Sequence, residues 1–345
     1  MSSPELSFLH RIGLTPAIEA ALNPYSETHR LGRICRVDRA AVDVLTASDT
    51  MRVATRSGDP VVVVGDWVAV VDTAVAVIAP RRTTIGRAAA TGESVEQPLV
   101  ANVDVVLVVV ATVPEPRLAM VERLVALAWD SGATPVIVVT KADLARDPVG
   151  VAADVGGSAP GVELHCISAT TGAGLDELAA YDVPGTTVCL LGRSGAGKST
   201  LANLLLGEQR LTTGEIRSDG KGRHTTTHRE LVTLPGGGVL VDTPGLRGAG
   251  LWLDGDGLTR AFPEIDDLAT QCRFSDCGHV SEPGCAILGA IDDGRLARRR
   301  LDSWRKLQRE AAWMASRGDA RLRNEVSRQW KVRSREVRRS GRTRP

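Results

Sequence analysis

The run Gly192-Arg193-Ser194-Gly195-Ala196-Gly197-Lys198-Ser199-Thr200 fills the Gly-x-x-x-x-Gly-Lys-Ser pattern of a phosphate-binding loop. Backbone N–H groups in such a loop point inward and cradle a β-phosphate, and the helix that follows adds positive potential at its N-terminus. Lys198 is placed to bridge the β- and γ-phosphates, and the Ser199 hydroxyl to ligate Mg²⁺. Further along, the apolar run Gly238-Val239-Leu240-Val241 delivers Asp242-Thr243-Pro244-Gly245. There Asp242 suits a water-mediated hold on Mg²⁺, and the Gly245 N–H a contact to the γ-phosphate. Between the two lies Lys221-Gly222-Arg223-His224-Thr225-Thr226-Thr227-His228, in which Thr226 or Thr227 would complete the Mg²⁺ shell. The polar, glycine-rich stretch before it, Gly214 to Gly222, is expected to order only around a γ-phosphate.

Base identity is carried upstream. In Thr140-Lys141-Ala142-Asp143 the Asp143 carboxylate can accept both N1–H and N2–H₂ of guanine, a donor pair that adenine lacks, while the Lys141 stem packs over the base. The usual motif begins with Asn, so Thr140 is expected to remove an amide contact and to weaken guanine selectivity somewhat. As a bare tetrapeptide the same four residues also suit an ordinary strand-to-helix turn. Ser168-Ala169, at another strand end, favours the guanine reading, because a backbone N–H there can meet O6. The order of these pieces is inverted relative to an ordinary GTPase: base motif first, then phosphate loop, then Asp242. The expectation is a circularly permuted GTPase domain whose γ-phosphate-sensing segment runs directly into the C-terminal region. Leu246 follows Gly245 where many GTPases place a water-orienting glutamine, so intrinsic hydrolysis should be slow. His224 or His228 could orient the water instead, although each equally suits a loop or RNA contact.

A second chemistry sits near the C-terminus. Cys272, Cys277, His279 and Cys285 offer three thiolates and an imidazole at Cys-x₄-Cys-x-His-x₅-Cys spacing. That set suits tetrahedral Zn²⁺ with no open position, hence a structural site. Cys35, Cys166 and Cys189 lie in apolar stretches and read as strand or core residues.

Elements must hold these groups in place. The regions Val103 to Val110, Pro135 to Val139, Leu164 to Ile167 and Thr187 to Leu191 read as strands, with helices over Leu118 to Ser131 and Lys198 to Leu206. Such βα alternation implies a doubly wound parallel sheet with its ligand at the strands' C-terminal ends. From Leu31 to about Ala79, short β-rich pieces separated by turns suggest a small five-stranded barrel of the oligonucleotide-binding type, or another small β-domain. Residues 1 to about 28 read as an irregular lead-in and Pro80 to Pro98 as a polar linker. The fold class expected is therefore an α/β circularly permuted P-loop GTPase domain at 99–262. It lies between an N-terminal OB-like β-barrel region at 1–98 and a zinc-binding, helical region with a basic tail at 263–345.

Composition narrows the partners. The net charge of +1 hides an asymmetry: Arg295 to Pro345 holds 18 Lys and Arg against 5 Asp and Glu, or +13, leaving −12 on the rest. Arginines on helical segments can be a plain solvated face, but this excess points to a polyanion such as RNA. Within the tail, Leu301, Trp304, Leu307 and Ala311 at helical spacing read as a packing stripe. Met1 to Leu14 lacks an apolar core of signal-peptide length, and Val105 to Val113 is too short to span a bilayer. A cytoplasmic, soluble monomer with no membrane partner is the expectation.

Together these residues resemble the ribosome small-subunit-dependent GTPase A family. The resemblance rests on the permuted motif order, on His224-Thr225-Thr226-Thr227 ahead of Asp242-Thr243-Pro244-Gly245, and on Cys272-Arg273-Phe274-Ser275-Asp276-Cys277 followed by Ser281-Glu282-Pro283-Gly284-Cys285. It also rests on Gly65-Asp66-Trp67-Val68. It implies GTP hydrolysis to GDP stimulated by the small ribosomal subunit, contact with its rRNA, one structural Zn²⁺, Mg²⁺ with GTP, and a role in late subunit maturation. Because the segment after Gly245 joins the zinc region, nucleotide state is expected to reorient that region against the barrel. The competing readings are an RNA-binding module whose nucleotide is structural, and a permuted GTPase acting on another RNA.

Overall fold

The computed structural model describes residues 3–55, 61–88, 96–208, 230–242 and 256–318. Two helices open it, α1 (Ser3–Arg11) and α2 (Pro16–Leu22), followed by strands β1 (Arg30–Val37), β2 (Ala41–Thr46), β3 (Thr50–Ala54), β4 (Trp67–Val71) and β5 (Ala74–Ile78). A hairpin, β6 (Thr84–Ala88) and β7 (Glu96–Ala101), leads into β8 (Val105–Ala111), α3 (Leu118–Asp130), β9 (Thr134–Thr140), α4 (Pro148–Gly157) and β10 (Glu163–Cys166). Then come β11 (Thr187–Gly192), α5 (Lys198–Leu206), β12 (Glu230–Thr233) and β13 (Val239–Asp242). Four helices follow: α6 (Asp256–Ala261), α7 (Pro263–Ala269), α8 (Ala286–Asp292) and α9 (Arg298–Gly318).

The lead-in is not irregular. Thr15 caps α2 by accepting the Ile18 N–H, with Pro16 pre-set at the first helical position. Leu9, Ile12, Ile18 and Leu22 are all buried in the main core. The stretch expected to be a polar linker is likewise structured. It pairs β6 with β7 antiparallel, and Arg81 holds the fully buried Asp66 through both carboxylate oxygens, at 2.7 and 2.8 Å. A polar composition hid the hairpin, and Arg81 just ahead of it faces a buried partner.

Strands β8, β9, β10, β11 and β13 are parallel, with β12 antiparallel on β13, in the order β10-β9-β8-β11-β13-β12. The strand carrying the phosphate loop, β11, is thus central, with β8, β9 and β10 on one side and β13 and β12 on the other. Near-continuous Val and Leu runs bury both faces, as a parallel sheet requires. Val106, Val108, Val110, Ile137 and Val139 face α3 and the C-terminal helices, whereas Leu107, Val109, Val136, Val138 and Leu190 face α5.

The N-terminal strands curl around Ile34, Val42, Val44, Val53, Val68 and Val70. Here β1 pairs with β2 and β4, β2 with β3, β4 with β5, and β3 lies against β5, the connectivity of a small closed barrel. The barrel is stitched to the α/β sheet by the antiparallel pair Arg36–Glu230 between β1 and β12. A second stitch is Arg33, fully buried over the Trp67 ring. It donates to the Ile12, Gly65 and Asn102 carbonyls and, at 2.9 Å, to the Thr187 hydroxyl at the foot of β11. Burial lowers its pKa to about 10.

Candidate functional site

The parallel strands end together at one edge of the sheet, and that edge gathers the predicted ligands. Gly192 closes β11 so near its neighbour that a Cβ would stand 2.4 Å from the Val109 carbonyl oxygen. The chain then turns through Gly195 and Gly197, both at positive φ (79° and 93°), into α5. No side chain caps α5, which leaves its first-turn N–H groups facing the loop. Lys198 Nζ lies 2.8 Å from both the Gly192 and Arg193 carbonyls, so its ammonium sits inside the loop it would share with a phosphate. Ser199 and Thr200 are exposed at the same helix end, and Arg193 and Ser194 at the loop's outer rim.

Thr140 ends β9 beside this loop. Its side chain is buried and donates to the Ala196 carbonyl at 2.7 Å. This side chain ties the base-reading segment to the phosphate loop. Lys141 adopts the left-handed conformation (φ 60°), unusual for a long side chain. Asp143 is exposed, and its carboxylate accepts the Ser168 hydroxyl at 2.6 Å. That hydrogen bond, the largest cause, holds its pKa below the ordinary carboxylate value. Ser168 spends its own N–H on the Ala173 carbonyl, which leaves the Ala169 N–H as the donor of the pair with no partner among the described residues. One residue outside every motif joins the group: Thr112, just past β8, donates its hydroxyl to the Lys141 carbonyl at 2.6 Å. No spacing rule singles out a lone threonine after an apolar strand.

Asp242 ends β13 at this edge, opposite Glu230. His224, Thr226, Thr227, His228 and Gly245 fall in 209–229 and 243–255, outside the described residues.

The C-terminal cluster is assembled. Ligand atoms of Cys272, Cys277, His279 and Cys285 all lie within 4.8 Å of one another. Tetrahedral Zn²⁺ with sulfurs at about 2.3 Å and nitrogen at about 2.0 Å places S and N about 3.5 Å apart and two sulfurs about 3.8 Å apart. Here His279 Nδ1 is 3.6 Å from Cys272 Sγ and 3.5 Å from Cys285 Sγ, and those two sulfurs are 3.9 Å apart. The donor set fits a metal ion. Around it, Glu282 accepts the Gly278, Val280 and Ser281 N–H groups at 2.7–3.0 Å, which fixes the loop bearing His279. Those backbone bonds, Ser281 first, pull its pKa to about 2. Arg305 of α9 donates to the His279 carbonyl, and the Trp304 ring lies 5.9 Å from the imidazole.

Comparison with known proteins gives the same reading. The RsgA GTPase family model matches residues 78–252. A Streptomyces coelicolor protein named small ribosomal subunit biogenesis GTPase RsgA is 51% identical over 327 residues, covering 91% of this chain and 89% of its own. The chain belongs to the RsgA GTPase family. A Streptomyces avermitilis relative of the same name is 50% identical over an equal span. Among solved structures, YjeQ from Thermotoga maritima is similar with a TM-score of 0.63 and 26% identity, covering 82% of this chain and 98% of its own. YloQ, described as a circularly permuted GTPase, has a TM-score of 0.57 at 25% identity, with coverages of 82% and 95%. The resemblance drawn from motif order is thus the family itself, and the strand order above is the permuted GTPase arrangement seen from inside one member.

Proposed function

We propose that this protein binds GTP at the C-terminal edge of the parallel sheet, hydrolyses it to GDP and phosphate, and does so on the small ribosomal subunit during its biogenesis. One observation carries the reading: the phosphate loop on β11 and the base-reading residues on β9 and after β10 converge, tied by Thr140 to Ala196, in a chain half identical to relatives named for that task. In this account Gly192 to Thr200 cradle the phosphates, Lys198 and Ser199 act on the γ-phosphate and Mg²⁺, and Asp143, Lys141 and the Ala169 N–H read guanine. Asp242, Gly245 and Thr226 or Thr227 complete the Mg²⁺ and γ-phosphate contacts. Cys272, Cys277, His279 and Cys285 hold one structural Zn²⁺, supported by the tetrahedral separations. No helix among the described residues is long and apolar enough to cross a membrane, in keeping with work on a cytoplasmic ribonucleoprotein.

The test is GTP turnover by the protein alone, with purified small subunits, and with large subunits. Stimulation by the small subunit only is expected, and Lys198→Ala should abolish it. Equal turnover in all three conditions would remove the subunit from this account, and stimulated turnover by Lys198→Ala would remove the phosphate loop.

A further inference from the structure

Three buried or half-buried hydroxyls converge on the base-reading segment. Thr140 ties its start to the phosphate loop and Ser168 orients the Asp143 carboxylate, both from within the motifs. The third, Thr112, comes from a strand to which the functional reading assigns no role. Its side chain is 3% exposed. Its N–H donates to the Thr140 carbonyl at 3.0 Å and its hydroxyl to the Lys141 carbonyl at 2.6 Å, so one residue grips two successive peptide groups.

Those two peptide groups flank the strained point of the loop. Lys141 sits at φ 60° and ψ 36°, a conformation that costs a non-glycine residue about 1 kcal/mol or more unless its surroundings over-determine it. The turn it makes is what separates the Thr140 side chain, aimed at the phosphate loop, from Asp143, aimed at Ser168. A Lys141 carbonyl released from Thr112 can rotate with its peptide plane, and the left-handed residue relaxes toward ordinary backbone. Asp143, two residues on, then loses its bearing on the base edge. The phosphate loop, held by Gly192, Lys198 and Ala196, does not depend on this hydroxyl.

We propose that Thr112 is a positioning residue for guanine specificity: its hydroxyl locks the left-handed Lys141 peptide and thereby aims Asp143 at the base. This rests on the reading of Asp143 as the guanine acceptor. The test compares affinities for GDP and inosine diphosphate, which differ only in the exocyclic amine that Asp143 would accept. In Thr112→Val the GDP affinity should fall about tenfold, the loss of one hydrogen bond to a buried acceptor. The affinity for inosine diphosphate should fall less, so that the ratio of the two affinities shrinks. Thr112→Ser should keep the wild-type ratio. At saturating GTP the turnover number should be unchanged while KM rises.

A Thr112→Val protein that weakens both nucleotides equally, with the ratio intact, overturns the proposal and leaves Thr112 as a packing residue. Should Thr112→Val not fold, Thr112→Ala and Thr112→Ser give the same comparison, and a serine variant with a collapsed ratio overturns it too. A wild-type protein that does not distinguish GDP from ADP refutes the parent reading of Asp143 instead, an outcome visible before any variant is made.

Discussion

Arg300, in the first turn of α9, is the perturbation with the clearest energetic consequence. Its guanidinium is 3% exposed and has acceptors on every side: Glu264 Oε1 at 2.7 Å, Glu122 Oε1 at 3.2 Å, and the carbonyls of Ser158 at 2.7 Å and Ala261 at 3.0 Å. Its face lies 4.2 Å from the Phe262 ring. Glu122, on α3, is itself 1% exposed, and neither Glu122 Oε2 nor Glu264 Oε2 has a hydrogen-bond partner among the described residues. Arg300→Met keeps the volume and removes the charge. Breaking a buried pair by deleting one partner costs about 3–5 kcal/mol, because the surviving carboxylate stays buried. Arg299 still reaches Glu122 Oε1 at 2.8 Å, so the loss should fall near the lower end, about 3 kcal/mol. Equilibrium urea unfolding measures it. The double variant Glu122→Met with Arg300→Met should recover most of the loss, since paired replacement of buried ions by apolar groups is often neutral or stabilising. A single variant that loses under 1 kcal/mol, or a double variant worse than the sum of the singles, refutes the reasoning.

Thr140→Val, which strips the hydroxyl from the Ala196 carbonyl, should weaken GDP binding about tenfold with melting temperature little changed, read by fluorescent-nucleotide titration. Stripping metal with a strong thiol-competing chelator, or Cys285→Ala, should release one zinc per chain in a colorimetric assay and unfold the 272–285 region first, seen as loss of amide-exchange protection in α8. For Glu282 the sign follows from its lowered pKa: its stabilisation is complete above the ordinary value of 4.5 and drains away as pH falls toward about 2. Glu282→Gln should therefore melt below wild type at neutral pH, and the gap should close on acidification; a gap that is constant from pH 7 to 3 would contradict this.

The sheet and its ligand edge were legible because the signals were local and dense: Val-rich runs for parallel strands, and glycines where backbone must approach backbone, as Gly192 does Val109. The helix Lys198–Leu206 and the stripe Leu301, Trp304, Leu307 and Ala311 were readable from spacing; Trp304 is half-buried and the other three stripe residues are buried. What escaped shares a different cause. Arg33, Asp66, Glu122 and Arg300 are charged residues at core positions; Asp66 is held by Arg81, 15 residues on, but the others reach partners far away in sequence, 154 residues in the case of Arg33 and Thr187. A charge count assigns such side chains to solvent or to RNA. Part of the arginine excess after Arg295 is in this sense internal: Arg299, Arg300 and Arg305 all bind the chain's own carboxylates and carbonyls. The tie from Thr140 to Ala196 escaped for the related reason that a tetrapeptide does not reveal which way its first side chain turns.

Those buried arginines bear on how nucleotide state is transmitted. The permuted order suggests that the segment after Gly245 swings the zinc-bearing region against the barrel. Yet that segment re-enters at Gly257, whose N–H donates to Asp130 of α3 at 2.6 Å and whose missing Cβ lets it lie against the Ala126 carbonyl, where a Cβ would stand 2.2 Å away. Arg300 then fastens α9 to the same helix, while Arg33 fastens the barrel to the foot of β11. Reorienting either flank means exposing these buried pairs and the packing around them, and turning a state populated at 1% into one at 99% takes about 5.5 kcal/mol of differential affinity. A γ-phosphate would have to supply that whole difference through a few loop contacts. The expected outcome is that the flanks stay fixed in the free protein whichever nucleotide is bound. Fluorophores introduced as non-canonical amino acids at the exposed positions Val61, Val149 and Trp313 test this. Transfer efficiencies between Val149 and each of the others should be the same with GDP and with a non-hydrolysable GTP analogue. A change between Val149 and Trp313 would show the Arg300 clamp opening, and one between Val149 and Val61 would show the barrel moving on Arg33; either would restore the swinging mechanism.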